Sequence, residues 1–329
     1  MQFFSYIFFQ LDEARRYIQD GRPEPLRLAL VLLDNCAEMQ MAEHIRDELD
    51  RERMTERLQQ NIQGLPLDDE ASTSLKDVLT FKPLTVREKR AIDRNFDEKI
   101  KYMVERSKSL PQALGRPLLH LHRYRNEAYH RSEVRPRTIR AACLILFEIN
   151  FEMIKVVPRQ HMSIPSDVDF SWIKERFRID HLWLTMIEPI IAELRSGLIP
   201  EASDIATLLA DYTEDRFADF YGYLHDIAQN TKGSGPEQGL AEAYAYRKSR
   251  LANQENEIPP AILEHRDLAW FKHLEGDIQQ IREASTRLEA FERFAEIERA
   301  LEPVETAVLE LVVEIDNYIQ LQVDIMRGK

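Results

Sequence analysis

Apolar residues recur at intervals of three or four positions along nearly the whole chain, the spacing that places them on one face of an α-helix. Only 10 of the 329 residues are glycine, so the chain has few points at which a helix would be weakened. We find no convincing set of segments that alternate apolar and polar residues as half-buried strands do. The sequence therefore predicts an all-α protein.

Prolines and polar segments divide the predicted helices into two domains. The first domain, residues 1–157, is predicted as an antiparallel bundle because short links join its helices. Its helices are expected at about 3–19, 25–62, 86–108 and 137–157, with a loop and one short helix at 63–85. Another helix is expected after the break at Leu110 and Pro111, carrying Leu114 and the residues that follow it into 125–130. Residues 158–170 contain two prolines and no helical period, which predicts a linker.

Residues 171–329 are predicted as a second, acidic all-helical domain. Its last two helices, at about 265–301 and 303–327, are expected to separate near Pro303 and to form an antiparallel hairpin. The apolar residues of the last helix lie close to a 3.5-residue repeat. This seam can pack within the chain or on a partner.

The charge of the chain is distributed unevenly. Residues 1–160 hold 27 Lys+Arg and 25 Asp+Glu, a net charge of +2, whereas residues 161–329 carry −15. Within residues 85–140, 15 basic residues stand against 7 acidic ones. This asymmetry is typical of an RNA-contacting half joined to an acidic interaction half, although a basic helix face that is simply solvated gives the same count.

Several classes of protein do not fit the sequence. No run of 20 apolar residues is present and the apolar N-terminus becomes charged at Asp12, so we expect neither a membrane span nor a cleaved signal. Cys36 and Cys143 lie in apolar helical runs, which favours buried free thiols and a cytoplasmic protein. Neither a zinc-ligand spacing nor a glycine-rich phosphate loop occurs, so we expect no metal and no cofactor.

The residues best suited to catalysis lie in the stretch RNEAYH, residues 125–130. Asn126 and His130 are four positions apart and therefore share a helix face, and the long guanidinium of Arg125 can reach over that face. A histidine can transfer a proton near neutral pH, and an arginine can stabilise charge on phosphoryl oxygens. The spacing alone is weak, because Arg176 and His181 repeat it among aromatic residues that favour simple packing.

RNEAYH resembles the Arg-Asn-x3-His motif of the HEPN superfamily, which consists of all-helical domains found in bacterial toxins, antiphage systems and RNA-guided RNases. Residues 27–41, RLALVLLDNCAEMQM, are similar to the second-helix pattern of that family, in which Asp or Asn and a Glu follow apolar residues. The resemblance covers about residues 1–157. It implies a metal-independent endoribonuclease in which two domains of a homodimer form one composite site.

The resemblance implies a role for each matching residue. Arg125 and His130 would be the catalytic pair, and Asn126 would support His130. The remaining candidates are supporting residues near the site, namely Asp34, Asn35, Glu38 and Tyr129. The polar residues of the second helix could equally form a hydrated patch with contacts inside the helix.

Basic residues around the motif are candidates for binding the RNA backbone. They are Arg123, Arg131, Arg135, Arg137 and Arg140. Some of these side chains would only solvate helix ends.

The resemblance implies cleavage of RNA by its own 2′-hydroxyl, and a toxin-like role in bacterial antiphage defence. One alternative is a non-catalytic helical scaffold or regulatory subunit that binds RNA, a nucleotide or a protein. Another is a toxin–antitoxin member kept inactive by a partner on the acidic half.

Overall fold

A computed structural model describes residues 2–63, 75–130, 136–156, 171–179, 187–198, 202–231, 235–252 and 269–327. The regular structure in these ranges is helical throughout, so the prediction of an all-α fold is confirmed. None of the helices in these ranges combines the length and the apolar content needed to cross a membrane. The described chain forms two compact units, Met1–Leu198 and Ile199–Lys329.

The first unit is built around one long helix. Its helices are α1 (Gln2–Asp20), α2 (Pro23–Ile62), α3 (Lys76–Leu79), α4 (Val86–Arg94), α5 (Phe96–Lys101), α6 (Gln112–His130), α7 (Pro136–Val156), α8 (Ser171–Phe177) and α9 (Ile187–Arg195). Helix α2 packs against α1, α5, α6 and α7. The helices predicted at about 3–19, 25–62 and 137–157 agree with α1, α2 and α7.

The single helix predicted at 86–108 is wrong. Thr85 caps α4 by accepting from the backbone N–H of Glu88, while the backbone of Asn95 is extended and ends the helix. Asparagine competes for backbone hydrogen bonds and so tolerates such a break. Beyond α5 the chain widens into a π-helical turn, Tyr102–Arg106. The break lets α5 approach α2 and α6 separately from α4.

A buried amide pair joins α7 to α2. Asn150 donates from Nδ2 to the carbonyl oxygens of Leu33 at 3.0 Å and Leu146 at 2.8 Å, and its Oδ1 accepts from Nε2 of Gln40 at 2.8 Å. Both amides are buried among apolar side chains. Polar groups inside a core are costly unless they are hydrogen-bonded, so these bonds allow the two amides to remain buried in the bundle.

The two cysteines also lie in this core, as predicted. Cys36 and Cys143 are buried free thiols, and burial raises the pKa of both. Their S–H groups point at the carbonyl oxygens of Ile7 and Leu26.

Helices α8 and α9 belong to the first unit, although the sequence placed residues 171–198 in the second domain. Arg176 of α8 binds the buried carboxylate of Asp12 through Nε at 2.9 Å and Nη2 at 2.8 Å. Arg195 of α9 binds Glu148 of α7 through the same two nitrogens at 2.8 and 2.6 Å. The predicted linker at 158–170 lies outside the described residues.

The second unit contains α10 (Ala202–Asn230), α11 (Pro236–Ala252), α12 (Ala269–Arg282) and α13 (Arg287–Met326). Helix α10 packs against the other three, and α12 and α13 form a hairpin. The predicted break at Pro303 is wrong, because α13 continues through it. Leu301, Val304 and Val308 are buried around the proline, so packing outweighs the one backbone hydrogen bond that proline removes.

The true turn of the hairpin lies before α13. Thr286 caps the helix by accepting from the backbone N–H of Glu289 at 3.2 Å. The carboxylate of Glu289 in turn accepts from the backbone N–H and hydroxyl of Ser285 at 2.9 and 2.8 Å. The sequence Thr-x-x-Glu is a known helix-start pattern, so the signal for this turn was present in the chain.

A charged cluster in the core of the second unit predicts a pH dependence of stability. Arg216 contacts both Glu298 and Glu305, so two carboxylates share one guanidinium. Burial raises the pKa of Glu298 from 4.5 to about 7. Between these values the folded protein holds a proton that the unfolded chain releases, so the free energy of unfolding falls as pH rises through this window.

We expect the second unit to lose on the order of 1 to 3 kcal/mol of stability between about pH 5 and about pH 8 for this reason. Urea unfolding of the wild type and of Glu298→Gln across this range measures it. The neutral amide removes the titration, so the difference between the two proteins should change with pH. A constant difference would contradict the assignment to Glu298.

Candidate functional site

The candidate site lies in the first unit where α2, α5 and α6 meet, and the carboxylate of Asp34 is at its centre. The side chain of Asp34 is only 1% exposed. Two residues of α6 bind it: Nδ1 of His122 lies 2.9 Å from Oδ1, and Nε of Arg125 lies 2.9 Å from Oδ2. Nη2 of Arg125 makes a second contact with Oδ2. A buried carboxylate is thus paired with a guanidinium and an imidazole.

Helical spacing explains why α6 can present both partners. His122 and Arg125 are three positions apart, and Asn126 follows His122 by four, so all three lie along one side of the helix. Residue 130 is the last of α6 and lies one turn beyond Asn126. The side chains of residues 127–130 lie outside the described part of the chain, which includes those of Tyr129 and His130.

Arg125 is held from two directions. Its Nε and Nη2 contact Asp34, and its Nη1 donates to Oδ1 of Asn126 at 2.7 Å. A guanidinium carries five N–H groups, so one N–H on Nη1 and one on Nη2 are left after these contacts. The side chain is 26% exposed. Arg125 is therefore fixed in place and still able to donate to a ligand from one edge.

The orientation of the His122 ring is fixed as well. Its ring stacks on Phe96 of α5 with centroids 3.7 Å apart and planes 6° from parallel. An ionised carboxylate can only accept, so its contact with Asp34 places the proton of a neutral His122 on Nδ1. No described residue hydrogen-bonds to Nε2, and this atom is not among the fully buried ones.

The other residues predicted on α2 have separate contacts. Asn35 donates to Oε1 of Gln10 on α1 at 2.7 Å, away from Asp34. Glu38 lies one turn after Asp34 and accepts from Nζ of Lys99 on α5 at 3.0 Å. The lysine is buried, whereas the side chain of Glu38 is 41% exposed. Of the three predicted α2 residues, the structure brings Asp34 into contact with Arg125.

The described basic candidates are engaged on the surface. Arg123 pairs with Asp97 at 3.2 Å, with both side chains about half exposed. Arg140 of α7 donates to the backbone carbonyl of Ile18 near the end of α1. The remaining predicted RNA contacts lie outside the described side chains, namely Arg131, Arg135 and Arg137.

His122 is a site residue that was not predicted from the sequence. The signal that could have found it is its spacing of four from Asn126, the same spacing that links Asn126 to His130. Its partner Asp34 is 88 positions away in sequence, so only the packing of α6 on α2 identifies the pair.

No group of three or more side chains able to hold a metal ion occurs among the residues that could be searched. No protein-family model, curated protein or solved structure matches this chain. The chemistry of the site must therefore be argued from its own residues.

Proposed function

We propose that this protein is a metal-independent endoribonuclease of the HEPN type. The observation that supports the proposal best is the anchoring of Arg125 on the buried carboxylate of Asp34, with Asn126 holding Nη1. A donor fixed before the reaction stabilises developing charge without the cost of reorganising it. RNA supplies the matching substrate, because cleavage at its phosphodiester builds negative charge on phosphoryl oxygens.

Arg125 and His130 have complementary roles in this proposal. The free edge of Arg125 donates to the non-bridging oxygens of the scissile phosphate as they gain charge. His130 transfers a proton near neutral pH, one helical turn beyond Asn126. The 2′-hydroxyl attacks the adjacent phosphorus, which yields a 2′,3′-cyclic phosphate and a free 5′-hydroxyl. DNA lacks the nucleophile and is not a substrate.

The substrate path and the assembly are part of the same proposal. The excess of basic residues in 85–140 supports binding of an RNA backbone around α6. Two copies of the chain bring two motifs together into one composite site, and the acidic second unit provides the surface for regulation. The biological role would be that of a toxin-like effector in bacterial antiphage defence.

Single-site variants test the catalytic claim. Purified wild type incubated with single-stranded RNA in EDTA is expected to give products that end in 2′,3′-cyclic phosphate. Arg125→Ala and His130→Ala should each lower the rate by at least about 100-fold, because each removes a transition-state interaction. Arg53→Ala is the control, since that exposed arginine on α2 lies outside the basic region and pairs with Asp50 at the surface. It should cleave at nearly the wild-type rate.

One observation favours a second candidate function, a non-catalytic RNA-binding scaffold. The contact between Arg125 and Asp34 also ties α6 to α2, which a purely structural ion pair would do. Expression in bacteria separates the two functions even when the cell must supply an activator. Growth arrest by the wild type and normal growth with His130→Ala would support the nuclease. RNA binding by both proteins, without cleavage or growth arrest by either, would support the scaffold.

A further inference from the structure

We propose that Asp34 and His122 form a carboxylate–imidazole pair in which Nε2 of His122 takes the proton from the 2′-hydroxyl of the RNA. This inference rests on the proposed function and adds a second catalytic histidine to it. Cleavage uses both a base and an acid. In this inference His122 is the base and His130 is the acid of the composite site.

The contacts of His122 are those of an oriented base. Asp34 accepts from Nδ1 at 2.9 Å, which leaves the lone pair of the neutral imidazole on Nε2. When Nε2 gains a proton, the buried carboxylate stabilises the resulting imidazolium, and the stack on Phe96 holds the ring plane.

The spacing of His122 and His130 along α6 suits an in-line displacement at phosphorus. A helix rises about 1.5 Å per residue, so the backbone positions of His122 and His130 are separated by about 12 Å along the axis. Base and acid must lie on opposite sides of the phosphorus, and this separation of the two backbone positions leaves room for a phosphate between them. Arg125 and Asn126 lie between them in sequence, where the non-bridging oxygens would be.

The protons and bonds of the proposed step balance. Nε2 of His122 takes the proton of the 2′-hydroxyl while that oxygen bonds to phosphorus. The bond from phosphorus to the 5′-oxygen breaks, and protonated His130 gives its proton to the leaving oxygen. The reaction is a transesterification, so neither water nor a redox partner is consumed. Exchange with solvent then restores both histidines.

Other charged residues near this crossing form pairs of their own. Lys99 of α5 binds Glu38 of α2 at 3.0 Å, and Arg123 of α6 binds Asp97 of α5 at 3.2 Å. Substitution of His122 itself therefore tests the base. His122→Gln can still donate to Asp34 through its amide but cannot act as a base.

We expect His122→Gln to lower the cleavage rate by at least about 100-fold. His120→Gln, on the same helix and outside the site, is the matched control and should cleave at nearly the wild-type rate. Circular dichroism establishes that each variant is folded. Cleavage equal to that of the wild type in folded His122→Gln would overturn the inference.

A second measurement determines the tautomer of His122 in the wild-type protein and uses the variants only to assign its signal. Long-range nitrogen–proton correlation spectra of the wild type, assigned by the signal lost in His122→Gln or in its folded His122→Asn counterpart, report which ring nitrogen carries the proton. A proton on Nδ1 is expected, and a proton on Nε2 would overturn the inference. Loss of cleavage in His130→Ala with full cleavage in His122→Gln would reject this inference alone. Absence of cleavage by the wild type in cells and in vitro would reject the proposed function with it.

Discussion

Replacing Asp34 with alanine is expected to lower the free energy of unfolding by about 3 kcal/mol, because it leaves the guanidinium of Arg125 and the imidazole of His122 without their carboxylate. The side chain of Asp34 is 1% exposed, and it is bound by both Arg125 and His122. Removing one partner of a buried pair costs more than the pair contributes, since the other partner stays desolvated. Arg125 can turn partly toward solvent, which sets the estimate at the lower end of the usual range.

Urea unfolding followed by circular dichroism measures this loss. Asp34→Asn keeps the shape and one acceptor and should lose less than the alanine variant. Asp50→Ala is the matched control on the same helix, because the pair of Asp50 with Arg53 is more than half exposed on both sides. An exposed pair contributes about 0 to 1 kcal/mol, so this control should be nearly neutral. Equal losses for Asp34→Ala and Asp50→Ala would contradict the buried pairing.

The second large effect is expected at the contact between α7 and α9. Glu148 is fully buried and binds Nε and Nη2 of Arg195 at 2.8 and 2.6 Å. The guanidinium also lies 4.9 Å from the ring centroid of Phe151. Arg195→Ala therefore leaves a buried carboxylate without its main cation, and we expect a loss of about 3 to 5 kcal/mol.

A double-mutant cycle identifies the source of that loss. Glu148→Gln in the Arg195→Ala background removes the uncompensated charge, so the double variant should be more stable than Arg195→Ala alone. Lys155→Ala provides a control, because its pair with Glu152 lies on one helix and is partly exposed. Additive effects of the two substitutions would show that the charge of Glu148 is not the cause.

The sequence was informative wherever structure depends on neighbours within a few turns. The period of the apolar residues predicted α1, α2 and α7 to within a few positions, because each buries one continuous face. Pro303 shows the limit of such reasoning. A proline lowers helix stability locally, but its effect on α13 depends on α10 and α11, which bury Val304 and Val308 around it.

Contacts between distant residues could not be read from the chain. Arg195 and Glu148 are 47 positions apart, and residues 158–170 between them suggested a linker, so the sequence placed α9 with the wrong neighbours. Asp34 and His122 are 88 positions apart. Asp34 was predicted near the site through its place in a resembling second helix. The spacing of His122 from Asn126 is a weak local signal, because the role of His122 depends on the partner that packing brings to it.

The amide pair of Gln40 and Asn150 determines how far the helices of the bundle can slide. Burial of apolar surface is not directional, whereas a hydrogen bond requires a particular partner, so the amide pair distinguishes this register from one shifted by a helical turn, about 5.4 Å. Such a shift of α2 along α7 would break the bonds of Asn150 to Gln40 and to the carbonyl of Leu33. Asp34 follows Leu33 directly in the sequence. The amide pair that fixes the position of α2 along α7 therefore also fixes where the carboxylate of Asp34 contacts α6.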